Sequence, residues 1–258
     1  MEYKYINIKL INGIAKVIIN RPEVRNAMNK ECWSELNQFI IKAENDNDIQ
    51  VIIITGAGSK AFVAGADIKE LKERTFVESI GGVQRAVLRR IENMKKVVIA
   101  MVNGIAVGGG FELALACDIR IISKNSKFSF PETNLGIIPG LGGTQRLSRL
   151  IGLGRAKEVI LADRVIDSDE AVQMGLVYKA VESDKLEYET MLLAKLIQNK
   201  GPIAISLAKT MLNSSCYIDI ESGLYMENLA FAAIMNTEDK KEGIDAFINK
   251  RKPNFKGK

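Results

Sequence analysis

The sequence predicts an α/β fold in which strands alternate with helices ahead of a helical C-terminal region. Three observations carry this reading. Residues 51–55 and 97–102 are continuous apolar runs rich in β-branched side chains, the pattern of strands buried on both faces. Segments with apolar residues at helical spacing lie between such runs. Beyond about residue 186 no strand pattern remains, and residues 187–200, 203–214, 220–235 and 237–249 all read as helices. A chain of 258 residues can hide roughly 70–75% of its unfolded surface, which is enough for one large core. The expected division is an α/β core over residues 1–195 and a helical region over residues 196–258.

Each element follows from local chemistry. Residues 5–10 and 14–19 are apolar runs joined across Asn12-Gly13, a strong hairpin signal. Asn20-Arg21-Pro22 ends the second run, and Asn26 reads as the cap of a helix over residues 29–45. Trp33, Leu36, Phe39, Ile40 and Ala43 form its apolar face. Residues 56–65 read as a loop, 67–72 as a helix start with Asp67 as its N-cap, and 79–94 as a helix. Residues 111–117 read as a buried helix, 119–122 as a strand, 146–150, 156–161 and 169–174 as helical, and 176–181 as a strand.

Composition excludes several chemistries. There is no histidine, so a Ser-His-Asp triad, a Cys-His pair and a His-ligated zinc site are all ruled out. No metal site is expected. Protons must move through carboxylates, Lys, Tyr, Cys or bound water. The net charge of +5 permits an anionic ligand without calling for nucleic acid. Part of that charge lies in residues 240–258, which hold seven basic and two acidic side chains and read as a solvated helix and tail. Cys32, Cys117 and Cys216 form no CxxC pair, which suits a reducing cytoplasm, and Cys117 reads as a buried thiol. The first ten residues lack an apolar core behind a basic start, so no signal peptide is expected. Residues 97–111 are too short and too rich in glycine to span a membrane.

Glycine-rich segments mark the candidate site. Gly56-x-Gly58-x-x-Ala61 follows a strand, yet an irregular apolar stretch succeeds it in place of a helix. It therefore reads as a loop turn and not as a dinucleotide fingerprint. Gly108-Gly109-Gly110 stands between a strand and a buried helix, where backbone can approach a ligand and free N–H groups can meet negative charge. Glu112 then falls in the first helical turn. It either faces solvent or is buried among apolar neighbours, where it must be paired or used. Glu132 follows Phe128-Ser129-Phe130-Pro131 and reads as an acid or base, or as a capping or ion-pairing carboxylate. Gly140-Leu141-Gly142-Gly143 is a second backbone bend near a ligand or a helix entrance. Together these pieces indicate a small-molecule site built on glycine loops with two carboxylates.

Three motifs carry a resemblance. Residues 61–69 (AFVAGADIK), 102–112 (VNGIAVGGGFE) and 131–146, with Pro131-Glu132 and GIIPGLGGTQR, resemble the enoyl-CoA hydratase or crotonase family in order and spacing. The likeness extends from Asn20-Arg21-Pro22 to residues 247–251, nearly the whole chain. It implies a crotonase-like spiral of repeated ββα units with a helical C-terminal region. It also implies a homohexamer built as a dimer of trimers, and an acyl-CoA substrate with no separate cofactor. Glu112 and Glu132 match the paired catalytic glutamates. The N–H groups of Ala66 and Gly109 match the oxyanion hole that holds the thioester oxygen. Glu23, Val24 and Arg25 match a segment that contacts CoA. Ala64, Asp67, Ile68 and Lys69 match the loop that receives adenine and pantetheine, and Phe255 matches a residue that caps the CoA site. The implied activity is syn hydration of a short-chain trans-2-enoyl-CoA.

The chain departs from the family pattern at Phe111, where close hydratases usually have Cys. It departs again at Ser129-Phe130, where they have Gly-Gln. The added bulk is expected to tighten the acyl pocket or shift substrate preference. Alternatives to hydration are another acyl-CoA isomerase or dehydratase of the same family, and a non-catalytic acyl-CoA-binding protein.

Overall fold

The computed structural model describes residues 3–258. The chain opens with a hairpin of β1 (Ile6–Ile11) and β2 (Ile14–Ile19), in register from Ile6 opposite Ile19 to Ile11 opposite Ile14. Asn12 and Gly13 both take positive φ, as a two-residue hairpin turn demands. Helix α1 (Lys30–Asn45) crosses over to β3 (Val51–Gly56), which lies parallel to β2.

The cap of α1 differs from expectation. Asn29 caps it, accepting the N–H of Cys32 at 2.9 Å. Asn26 lies earlier, buried and in the left-handed region, where it accepts from Arg21 N and donates to Ala57 O and Ala61 O. Its side chain stitches the loop after β2 to the loop after β3.

Residues 56–65, expected to be loop, contain the short strand β4 (Ala61–Val63). The helical stretch that follows is three pieces: α2 (Ile68–Glu73), α3 (Phe76–Ile80) and α4 (Val83–Asn93). Asp67 caps α2 as expected, accepting from Lys69 N. Next come β5 (Val97–Val102), β6 (Ile105–Val107) and α5 (Gly109–Ala116). Then follow β7 (Ile119–Ser123), β8 (Phe128–Ser129) and a 3-10 turn, Pro131–Leu135. Helices α6 (Gly143–Ile151), α7 (Leu153–Leu161) and α8 (Ser168–Gln173) precede β9 (Lys179–Val181), which is shorter than the 176–181 expected.

The strands sort into two sheets. One has six strands in the order β1-β2-β3-β5-β7-β9; the other has three, β4-β6-β8. Three times in turn, from β3, β5 and β7, the chain adds a strand to the large sheet, then one to the small sheet, then helix. That is the expected spiral of ββα units.

Both faces of the large sheet are buried, which explains its unbroken apolar runs. Ile52, Ile54, Val98, Ala100, Val102 and Ile122 share a core with α1, α4 and α5. Val51, Ile53, Val97, Ile99, Met101 and Ile121 point the other way, toward Leu186 and Ala194 of α9 (Leu186–Gln198). Residue 195, the expected end of the α/β core, thus falls inside a helix that covers the sheet.

Helix α10 (Pro202–Ser214) is anchored by buried Lys209, which donates to Ile91 O, Lys96 O and Asp118 Oδ2. By contrast, α11 (Ile220–Ile234) has no buried residue, and Ile220, Leu224, Tyr225, Leu229 and Phe231 are all exposed. The last helix, α12 (Glu238–Ile248), holds the tail through Asp239, whose carboxylate accepts from Lys256 N and Gly257 N. Cys117 is buried as expected, and burial pushes its thiol up to about 12. Among the described residues, no helix is long and apolar enough to cross a membrane.

Candidate active site

The small sheet and its connections place both glutamates. The N–H of Gly108 donates to Ser129 O at 3.0 Å, extending the pairing of β6 with β8. The carbonyl of the same residue accepts the N–H of Glu112 at 2.9 Å and starts α5. One residue therefore ties the helix that carries Glu112 to the strand that leads into Glu132. Gly108 adopts φ +52, and a Cβ built there would stand 2.7 Å from Glu132 Oε1, so any other residue is strained and pushes Glu132 aside.

Glu112 is 2% exposed. Its Oε1 accepts the N–H groups of Leu141 at 2.6 Å and Gly143 at 2.7 Å. Gly140–Gly143 is thus the glycine bend suspected from sequence, and its donors go to a carboxylate. Burial pushes the Glu112 carboxyl up to about 7; its two N–H partners oppose that rise and the charge of Glu132 adds to it. Glu132 is also raised, chiefly by burial and further by Asp163. Its Oε2 is buried and has no hydrogen-bond partner among the described residues.

Both glutamates line one cleft of about 490 Å³, together with Ala66, Gly109, Ile137 and Leu141. At the cleft, Ala66 follows Gly65, whose carbonyl accepts from Met28 N, and precedes Asp67, whose N–H donates to Met28 O. Ala66 is thereby held in a bridge with Met28. Gly109 is the first residue of α5, where a backbone N–H has no helical acceptor. Among the described residues, neither N–H finds an acceptor. A Cβ on Gly109 would meet only Leu141 Cδ1, at an ordinary 3.6 Å. Protein packing alone does not require glycine there.

The remaining sequence candidates divide. Ala64 and Ile68 line the cleft. Asp67 lines an adjoining recess with Trp33 and Lys30, and pairs with Arg21 at 3.3 Å. Lys69 is exposed one residue beyond Ile68. Glu23, Val24 and Arg25 form an exposed turn, stitched to this edge because Arg25 O accepts Ala64 N at 3.1 Å. Phe255 lies elsewhere, packed near Gly201 of the loop before α10 and Gly243 of α12, and is not among the residues lining this cleft.

Phe111 and Phe130 do not narrow the cleft. Both are fully buried and stack with centroids 4.6 Å apart, and the Phe128 ring is tilted against Phe111 at 4.7 Å. The helix turns Phe111 inward beside Glu112, so the bulk fills the core behind the site. Phe130 does reach the site indirectly: a Cβ on Gly143 would stand 2.6 Å from Phe130 Cζ.

Sequence reasoning missed the donors on Leu141 and Gly143 and the packing of Phe130 on Gly143. The repeated glycines of residues 140–143 were the available signal, but they did not identify the acceptor. Among the described residues, no group of three or more His, Cys, Asp or Glu side chains is placed to hold a metal ion.

Residues 9–258 match the sequence pattern of the enoyl-CoA hydratase/isomerase family. Similar proteins include a short-chain-enoyl-CoA hydratase of Clostridium acetobutylicum, 45% identical over 254 residues, covering 98% of this chain and 97% of the relative. A crotonyl-CoA hydratase of Syntrophomonas wolfei is 43% identical over 257 residues, covering 99% of each. The crystal structure of an enoyl-CoA hydratase from Bacillus anthracis superposes with a TM-score of 0.95 at 40% identity, covering 99% of this chain and 100% of that one.

Proposed function

This chain belongs to the enoyl-CoA hydratase/isomerase family, and we propose that it catalyses reversible syn hydration of short-chain trans-2-enoyl-CoA to 3-hydroxyacyl-CoA. The observation that carries this reading is one cleft lined by two carboxylates, Glu112 buried and Glu132 half-buried, and by Ala66 and Gly109. The names of the similar proteins from Clostridium acetobutylicum and Syntrophomonas wolfei support the short acyl chain.

In this proposal the thioester oxygen sits between the N–H groups of Ala66 and Gly109. They stabilise the negative charge that develops as the thioester becomes enolate-like. Glu112 has Oε1 engaged by two N–H groups, which leaves Oε2 to take a proton from the attacking water. The water oxygen bonds to C3, and Glu132 delivers a proton to C2 on the same face. In dehydration the roles reverse. Burial raises each carboxyl above its ordinary value, and the charge of Glu132 adds to the rise of Glu112, so removing one proton changes the affinity for the other.

The rest of the reading is also proposed. The turn Glu23–Arg25 and the loop Ala64–Lys69 would receive CoA, and no cofactor is needed beyond the thioester itself. The exposed apolar side chains of α11 would be covered by neighbouring copies in a homohexamer. Phe255 would reach a CoA site only in such an assembly. A cytoplasmic setting suits the substrate.

The test is the loss of ultraviolet absorbance of the conjugated thioester when pure protein meets crotonyl-CoA, with identification of the product. Formation of 3-hydroxybutyryl-CoA is expected. Absence of hydration would overturn the proposal, and a shifted double bond would replace it with isomerisation.

A further inference from the structure

We propose that Arg146, gripped by Glu92, is a positioning residue that fixes the peptide of Leu141 and thereby aims Glu112; this rests on the hydratase reading above. The contacts form an unbroken chain across three helices. Glu92 stands on α4, Arg146 on α6 and Glu112 on α5. Arg146 Nε and Nη2 donate to the two carboxylate oxygens of Glu92 at 3.1 Å and 3.0 Å. Its Nη1 donates to Leu141 O at 2.9 Å. The N–H of that same residue donates to Glu112 Oε1 at 2.6 Å.

The guanidinium is built in rather than draped over the surface. The Arg146 and Glu92 side chains are only 17% and 23% exposed. A Cβ on Gly142 would stand 2.2 Å from Arg146 Nη1, and Gly142 takes φ +109, so the tip of the guanidinium rests against loop backbone that a side chain would crowd. On the other side, Arg85 Nε holds Gly140 O at 3.0 Å. Residues 140–143 include three glycines and have little stiffness of their own. Their direction is set by the clamp. Lysine could not replace the planar fork, because one ammonium cannot hold both Glu92 oxygens and a carbonyl in that geometry.

A second effect follows from charge. From α6, Arg146 favours the ionised form of Glu112; from the turn after β8, Glu132 opposes it, and Asp163 in turn acts on Glu132. Removing the positive charge moves the Glu112 midpoint upward.

The test uses the full-length protein and the variants Arg146→Lys, Arg146→Gln and Glu92→Gln. Turnover of crotonyl-CoA is measured across pH, and the Glu112 carboxyl is titrated by carbon-13 NMR. Arg146→Lys is expected to lower kcat about 10- to 100-fold while KM stays within about threefold. Glu92→Gln should give a smaller loss in the same direction. Arg146→Gln should also move the Glu112 midpoint upward. Wild-type turnover by Arg146→Lys, or an unmoved Glu112 midpoint in Arg146→Gln, overturns the proposal. Should Arg146→Gln fail to fold, the kcat of Arg146→Lys and Glu92→Gln decides the matter, since both keep the positive charge. Should the wild-type protein not hydrate crotonyl-CoA, the hydratase reading falls, while the NMR titration still reads the effect of Arg146 on Glu112.

Discussion

Oε1 of Glu132 occupies the space beside Gly108 so closely that a methyl group on Gly108 would stand 2.7 Å away. The same glycine bonds to Ser129 and to Glu112 through its backbone. Gly108→Ala therefore acts twice: it strains a backbone at φ +52 and displaces Glu132. We expect a stability loss of about 1–3 kcal/mol and a larger proportional loss of kcat, measured by chemical denaturation and crotonyl-CoA turnover. Full turnover by this variant would show that Gly108 does not fix the position of Glu132.

The repulsion between the two carboxylates has a sign that can be read. Glu132 raises the Glu112 carboxyl, which stands at about 7. Glu132→Gln removes that charge, so the Glu112 midpoint should move down. A carbon-13 NMR titration measures it, and an upward move would contradict the arrangement.

Glu112 also links stability to pH. Its folded value of about 7 lies above the ordinary unfolded value of about 4.3. Between those values the folded state holds more protons than the unfolded state, so stability falls as pH rises through the window and then levels off. Glu112→Gln lacks this loss. At pH 8 it should be more stable than the wild type by on the order of 1–3 kcal/mol, and at pH 4 close to it. Thermal melts at the two pH values check both halves.

Gly143 is required by packing and not by dihedral angle. Its Cβ would press on Phe130 Cζ at 2.6 Å, and its N–H serves Glu112. Gly143→Ala should cut activity by swinging that N–H away. Adding Phe130→Leu should restore part of it by opening room. Identical activity of the single and double variants would show that Phe130 is not the obstacle.

How much was legible depends on where the information lies. The runs at 51–55 and 97–102 announced themselves because both faces of β3 and β5 are buried. The strands β4, β6 and β8 are two or three residues long, too short for periodicity to register. They pair only because glycine-rich turns bring them together. Asn26 has the chemistry of a cap, yet the positive φ that places it beside Ala57 and Ala61 is a tertiary outcome. Glu112 and Glu132 were visible as carboxylates in odd company. Their partners were not, because Leu141 and Gly143 act through backbone N–H groups that any residue carries. Phe111 and Phe130 were expected in the acyl pocket, since sequence shows proximity to a site but not which way a ring turns.

Hydration as proposed needs both glutamates, Glu112 to take a proton from the attacking water and Glu132 to deliver one to C2. Its most direct test is crotonyl-CoA hydration by Glu112→Gln and Glu132→Gln beside the wild type, with circular dichroism showing that each variant is folded. Each single variant should lose about 10²- to 10⁴-fold in kcat. Near wild-type turnover by either one would contradict the claim.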